Sequence, residues 1–477
     1  MAASDDDLAF LGAARQAALI REKRLSPVEL VRIYIARIER LDPALGAYIT
    51  VCGEAAEAAA RRAEAAVTRG DRLGPLHGVP FAVKDQFDTA GVRTTVGSRL
   101  LEHNVPSGDA TVVRRLVEAG GILLGKLNLT EFALGGTIRF PFGQPRNPWN
   151  PAHDPGGSSS GSGIATAAGL CAASLGEDTG GSIRSPASFC GVIGLRPTWG
   201  RVSRHGSFPL AWSMDAAGPI TRTVEDAALL LQTIAGQDAD DLLTSRHVVP
   251  DYRASLTRDV RGLSIGVVRE LTRGAETDGE VRQAVLDAAR VLEGRGATVD
   301  EVSLPTVPLA GAVFMALCDS EGAGSHLAWL RARSDEYDQG TRRRLLAAAL
   351  LPAAVLHRAA KARVVIRREV LAALARFDVL LCPTAHRPAA PIAQMAARVT
   401  GRDEVAGRFF TRRSYSSPAS LAGVPAIAIP AGFSSAGLPI GAQLIGRPFA
   451  EGVLLRAAHA HEQETDWHRR RPPAALM

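Results

Sequence analysis

The order of apolar segments predicts an α/β fold around a largely parallel or mixed sheet. Three observations carry that prediction. Short apolar runs of strand length alternate with longer segments of helical periodicity through most of the chain. Alternation of this kind belongs to sheets covered by helices. With 477 residues, 46% of them hydrophobic, the chain can bury a large core. No internal repeat and no low-complexity linker interrupts it, which predicts one large domain rather than the two or three that length alone suggests.

Each element has a local reason. Residues 26–41 predict a helix: Pro27 sits at its start, and Val28, Leu30, Val31, Ile33, Tyr34, Ile35 and Ile38 form an apolar stripe. The alanine-rich stretch 54–67 predicts a second helix, ended near Gly70. Val79-Pro80-Phe81-Ala82-Val83 reads as a short buried strand that delivers Lys84. Residues 111–119 predict a helix and 121–125 the next strand. Residues 146–162, rich in Pro, Asn, Gly and Ser, predict loop. A small-residue helix is expected over 163–169 and a strand over 171–175. Further on, strands over 263–268, 297–304, 379–382, 426–429 and 441–445 are expected, with helices over 281–292 and 452–463. Residues 238–262 and 320–344 look irregular, and the second lies in a span that could shape a pocket.

Composition excludes several classes. The start carries Asp5, Asp6 and Asp7 and lacks the positive charge and apolar run of a secretory signal. The most apolar stretch, 345–356, is too short to span a bilayer and holds Pro352. A cytoplasmic protein without a membrane partner is expected. The five cysteines (Cys52, Cys171, Cys190, Cys318, Cys382) form no CxxC pair, which predicts reduced, mostly buried thiols. The net charge is +6, but the basic residues are dispersed and form no block, so no nucleic-acid partner is expected. Of 55 basic residues, only Lys23, Lys84, Lys126 and Lys361 are lysine. A lysine kept in such a chain points to a task arginine cannot do, such as losing a proton.

Two Gly/Ser loops stand out. The first is Gly156-Gly157-Ser158-Ser159-Ser160-Gly161-Ser162-Gly163, the second Asp178-Thr179-Gly180-Gly181-Ser182-Ile183-Arg184. The small, apolar residues between them suffice for one short helix and one short strand, so the loops can return to each other in space. Plain turns do not need so many hydroxyls. A nucleophile elbow around Gly157-Ser158-Ser159-Ser160-Gly161 would need a strand directly before it. The Pro-rich run Pro148 to Pro155 cannot be a central strand. Residues 120–126 (GGILLGK) fall short of a phosphate-binding loop, because Leu127 stands where Ser or Thr would hold magnesium. Acyl transfer remains. Gly180 and Gly181 leave backbone amides bare before Ser182, as an oxyanion hole requires. Ser182 would then be the nucleophile and needs a base. His153 and His205 are loop histidines, and Lys84 is the better candidate if burial lowers its pKa. No metal-ligand spacing occurs, and neither metal nor cofactor is expected.

Residues 156–194, reading GGSSSGSGIATAAGLCAASLGEDTGGSIRSPASFCGVIG, resemble the signature segment of the amidase-signature family. Flanking pieces match too: Gly78-Val79-Pro80-Phe81-Ala82-Val83-Lys84-Asp85, Gly125-Lys126-Leu127-Asn128, Leu195-Arg196-Pro197-Thr198, Pro425-Ala426-Ile427 and Gly437-Leu438-Pro439-Ile440-Gly441. The resemblance covers nearly the whole chain and makes Lys126 structural. It implies a three-layer α/β/α sandwich around a large mixed sheet. It divides the single domain into N-terminal helices (1–70), a signature core (78–230), a variable substrate-shaping region (231–376) and a C-terminal part of the core (377–477). It also implies a Ser–cisSer–Lys triad with Lys84 as base, Ser158 as bridge and Ser182 as nucleophile, forming an acyl-enzyme. The backbone amides of Thr179, Gly180, Gly181 and Ser182 match the oxyanion hole. Ser159, Asp178 and Arg184 are expected to support these groups. Two positions depart from the family: Ser160 replaces a glycine, and Glu177 stands where Thr or Ser is common.

The family contains amidases, carbamate and urea-derivative hydrolases, and the glutaminase subunit of tRNA-dependent amidotransferases. That subunit holds the glutamine amine with an acidic residue, and here Arg413 occupies that place before Pro418-Ala419-Ser420-Leu421-Ala422-Gly423. A stand-alone hydrolase of small amides or carbamates is therefore expected. Arg413 is its candidate substrate-binding residue, and a homodimer its candidate assembly.

Overall fold

The computed structural model describes residues 4–395 and 401–473. Their strands form one mixed sheet of 11 strands. In chain order these are β1 (Tyr48–Val51), β2 (Pro80–Lys84), β3 (Ile122–Leu127), β4 (Ala173–Glu177), β5 (Ile193–Arg196), β6 (Ala217–Thr221), β7 (Ser264–Val268), β8 (Thr298–Val302), β9 (Val379–Pro383), β10 (Ala426–Phe433) and β11 (Pro439–Gly446). Across the sheet they run β1-β3-β2-β4-β6-β5-β10-β11-β9-β7-β8. The triplets β3-β2-β4 and β9-β7-β8 are parallel, and the strands between them antiparallel.

Two apolar cores lie on opposite faces of this sheet, and β9 shows why. Successive side chains of a strand point to opposite faces. Val379 and Leu381 join one core, with Val281, Val285 and Leu292 of the helix Gly279–Gly294. Leu380 and Cys382 join the other, with Phe314 of the helix Ala310–Ala332 and Ile366 and Val370 of the helix Ala353–Arg376. Helices thus cover both faces, giving the expected α/β/α sandwich.

Most expected elements occur within a few residues of their predicted ends. The first long helix runs Pro27–Leu45, with the Ser26 hydroxyl accepting from the Val28 and Glu29 amides. The alanine-rich helix, Gly53–Arg69, ends at Gly70 in the left-handed region. Four differences matter. Residues 320–344 are mostly helical, not irregular: 320–332 belong to the helix Ala310–Ala332 and 339–344 to the helix Gln339–Ala349, with a short connection over 333–338. The buried stripe Phe314, Cys318, Gly322, His326, Leu330 has helical spacing, but Gly322 and His326 hide its apolar periodicity. The small-residue helix begins at Ser160 rather than 163. Gly161 there is a packing requirement and not a turn signal, since a Cβ would stand 2.2 Å from the Ala47 carbonyl oxygen. Strand β4 lies later than expected, which puts Glu177 at the strand end. Finally, strands β5 and β6 escaped prediction because Gly194, Gly218 and Pro219 break their apolar pattern.

Cys171, Cys190, Cys318 and Cys382 are buried, Cys52 is half-buried, and all five are free thiols. Among the described residues no single helix is long and apolar enough to cross a membrane.

Candidate active site

Strands β2 and β4 are parallel neighbours, with Phe81, Ala82 and Val83 opposite Ala173, Ser174 and Leu175. Their C-terminal ends therefore lie side by side, where open α/β sheets form their clefts. Lys84 closes β2 and Glu177 closes β4. The first Gly/Ser segment runs into the helix Ser160–Ala167, of which its last four residues form the first turn, and that helix leads back to β4. The second loop follows β4 and enters the short helix Arg184–Cys190.

These connections bring the two loops together at the lysine. The fully buried Lys84 places Nζ 2.8 Å from Ser158 Oγ. The Gly157–Ser158 peptide is cis. The Ser159 amide donates to the Ser182 carbonyl at 3.3 Å, joining the loops. The Ser159 hydroxyl also donates to the Glu177 carbonyl at 3.2 Å. Ser158 is buried, while Ser182 is partly exposed and so reachable from outside. The Ser160 hydroxyl donates to the Gly156 carbonyl at 2.7 Å, a bond that glycine could not make.

The amides of the second loop divide. Gly181 N–H is directed inward, to Asp178 Oδ1 at 2.7 Å. Of the four amides expected to form the oxyanion hole, that of Gly181 is thus already engaged. Among the described residues no hydrogen bond takes the N–H of Thr179, Gly180 or Ser182. The two glycines are required: a Cβ at Gly180 would stand 2.2 Å from the Phe314 ring, and one at Gly181 2.4 Å from Ser416 Oγ.

Asp178 and Arg184 form a fully buried clamp behind this loop. Arg184 Nε and Nη2 donate to the two carboxylate oxygens of Asp178, each at 3.0 Å. Arg184 Nη1 reaches the Ser416 carbonyl at 2.8 Å and Gln443 Oε1 at 2.7 Å. Arg196 donates to the Asp178 carbonyl as well. Burial alone would raise the Asp178 pKa, but the Arg184 and Arg196 charges hold it well below the usual carboxylate range.

Lys84 itself is pushed below the usual amine range by burial, against the opposing charges of Glu177 and Asp215. Burial and the Asp215 charge push Glu177 in the other direction, above the usual range, against Lys84. Each shift favours the neutral form of its group. Arg413 is partly buried beside the helix Ala310–Ala332. A Cβ at Gly135 would meet Arg413 Nη2 at 3.4 Å and Arg344 Nη1 at 3.5 Å, so the two guanidinium groups are neighbours. Arg344 is held by Asp319, with Nε donating to Oδ2 at 2.8 Å.

The model of the amidase family matches residues 29–455. The chain belongs to this family. Over 491 residues it is 43% identical to a glutamyl-tRNA(Gln) amidotransferase subunit of Moorella thermoacetica, covering 98% of this chain and 99% of that protein. Its fold is similar to that of the peptide amidase of Stenotrophomonas maltophilia, with a TM-score of 0.83, 33% identity, and 97% and 98% of the two chains covered. A chain from a vestigial protein complex tied to the origins of an s-triazine catabolic enzyme matches with a TM-score of 0.88 and 34% identity. That match covers 97% of this chain and all 100% of the other.

Sequence reasoning about this family member missed Asp215, Arg196 and Gln443 as parts of the site. Asp215 lies far from both loops in sequence, just before β6, and reaches them only because β6 pairs with β4. Its one signal was a lone acid in the small, apolar run Ala211 to Pro219, since a charge buried there needs partners.

Proposed function

We propose that the chain is a serine amidase whose acyl-enzyme forms on Ser182. Neutral Lys84 Nζ takes the Ser158 hydroxyl proton while Ser158 Oγ takes that of Ser182. Ser182 Oγ then attacks the amide carbonyl. The N–H groups of Thr179, Gly180 and Ser182 are the donors for the developing oxyanion. On collapse of the tetrahedral intermediate, the Lys84 ammonium returns its proton through Ser158 to the leaving amine. Water, activated by the same relay, releases the acid. The observation that carries this reading is the 2.8 Å contact of a fully buried lysine amine with Ser158 Oγ. Carbamates and ureas are open to the same attack.

A fluorophosphonate probe tests it. The purified chain should be labelled at one residue and should cleave simple anilides unaided. Labelling that survives Ser182→Ala would overturn the assignment.

A second reading, a subunit that works in an amidotransferase complex, is favoured by the identity to the Moorella protein over 98% of the chain. Against it stands Arg413, a cation where the glutaminase subunit resembled here has an acid. L-Glutamine hydrolysis that appears only when a partner subunit is added would establish this second reading in place of the first.

A further inference from the structure

Glu177 departs from the family pattern at the point where departure matters most, beside the lysine. We propose that Glu177 is a positioning residue for the Lys84 base: it holds the pair's one labile proton as a carboxylic acid, leaving the lysine a free amine. This rests on the reading of Lys84 as base.

The hydrogen-bond count carries the proposal. Glu177 is buried, and its Oε2 lies 3.5 Å from Lys84 Nζ. A charge-assisted pair closes to roughly 2.7–2.9 Å. Glu177 Oε1 stands 3.0 Å from Thr179 Oγ1, which stands 2.8 Å from Asp215 Oδ1. Thr179 has one hydroxyl proton and donates to only one of these carboxyl groups. Asp215 also receives the amides of Leu210 at 2.9 Å on Oδ2 and Ala211 at 3.0 Å on Oδ1, so both its oxygens already act as acceptors. Thr179 therefore donates to Asp215 and turns a lone pair toward Glu177 Oε1. That contact is a hydrogen bond only if Glu177 carries the proton.

Charge points to the same arrangement. The groups facing Glu177 are Lys84 from β2, Asp215 from the segment before β6, the adjacent Asp178, and Arg196 from β5. Arg184 and Arg196 balance Asp178 and Asp215. The pair adds no net charge in either form, but a buried ion pair carries a desolvation cost that the neutral pair avoids. The shifts of both groups toward their neutral forms agree. At alkaline pH Glu177 loses its proton, and the new carboxylate makes the neighbouring amine a stronger base.

The test is the rate of fluorophosphonate labelling of Ser182 against pH, in wild type, Glu177→Gln and Glu177→Thr, with Lys84→Arg as control. Wild type should rise in two steps, the alkaline one about threefold or more, as a stronger base gives a faster transfer. Both Glu177 variants should keep the first step and lose the second. Infrared spectra at neutral pH should show a protonated-carboxyl band that Glu177→Gln removes; Glu177→Thr serves if Gln disturbs folding. Coincident profiles, no such band, or a first step displaced to lower pH in Glu177→Gln would each overturn the proposal. The displaced step would mark Glu177 as an ionised partner instead. If Lys84→Arg is labelled as fast as wild type, the reading of Lys84 as base fails first. If Lys84→Arg is inert while the other profiles coincide, only the role of Glu177 fails.

Discussion

Two lysines lie on neighbouring strands, equally buried, and only one is short of acceptors. Lys84 ends β2 and Lys126 lies on β3, with Val83 opposite Lys126 and Lys84 opposite Leu127. Burial depresses both pKa values, and a nearby carboxyl group opposes it in each case. The acceptors differ. Lys126 Nζ has Thr94 Oγ1 at 2.6 Å, the Phe87 carbonyl at 2.7 Å and Asp85 Oδ1 at 3.2 Å. Two short hydrogen bonds and the Asp85 carboxylate beside them supply Lys126 with both acceptors and a countercharge. Lys84 Nζ has one short contact, to Ser158 Oγ, and two at 3.5 Å to Glu177. What separates the two lysines is thus the supply of acceptors, not burial.

The largest break in this comparison should come from Lys84→Arg. Guanidinium cannot accept a proton at working pH. Labelling of Ser182 should fall by roughly 10²–10⁴, the scale of an acid–base step. An active variant would make the two lysines equivalent after all. Lys126→Met should do the opposite. It leaves Asp85 buried and unpaired, a loss of about 3–5 kcal/mol in denaturant unfolding. Labelling of the folded fraction should stay within about tenfold of wild type, short of the range expected for an acid–base residue. A loss as large as that of Lys84→Arg would put Lys126 in the relay.

A smaller effect is expected at Arg413. If the guanidinium lines the substrate pocket, Arg413→Asp should shift the kcat/KM ratio between acidic and neutral amides by about 1–3 kcal/mol. An unmoved ratio would remove Arg413 from the pocket. The smallest effect belongs to Ser160→Ala, which deletes the bond to the Gly156 carbonyl beside Ser158. It should lower stability by about 1 kcal/mol in thermal unfolding. A large drop in labelling rate instead would give Ser160 a part in the chemistry.

Much of this was legible from the residues. The two Gly/Ser loops announce themselves because close backbone approach admits only small side chains, as Gly161 and Gly180 show. The scarcity of lysine marked Lys23, Lys84, Lys126 and Lys361 alike and could not show which of them is short of acceptors, because acceptors come from residues distant in sequence. The helix Ala310–Ala332 was hidden because its buried stripe admits Gly322 and His326 against other helices. Composition left all four amides of residues 179–182 equivalent. Only the fold shows that Asp178 draws Gly181 inward.

By itself the sequence determined the α/β alternation, the two loops and the residue types that meet there. These follow from local periodicity and from steric demands that act within a few residues. The tertiary structure decided which lysine lacks acceptors, which amides remain open, and that Asp215 joins Glu177 through Thr179. Those outcomes depend on strand order, since pairing β4 with β2 and β6 brings together groups that no local pattern connects.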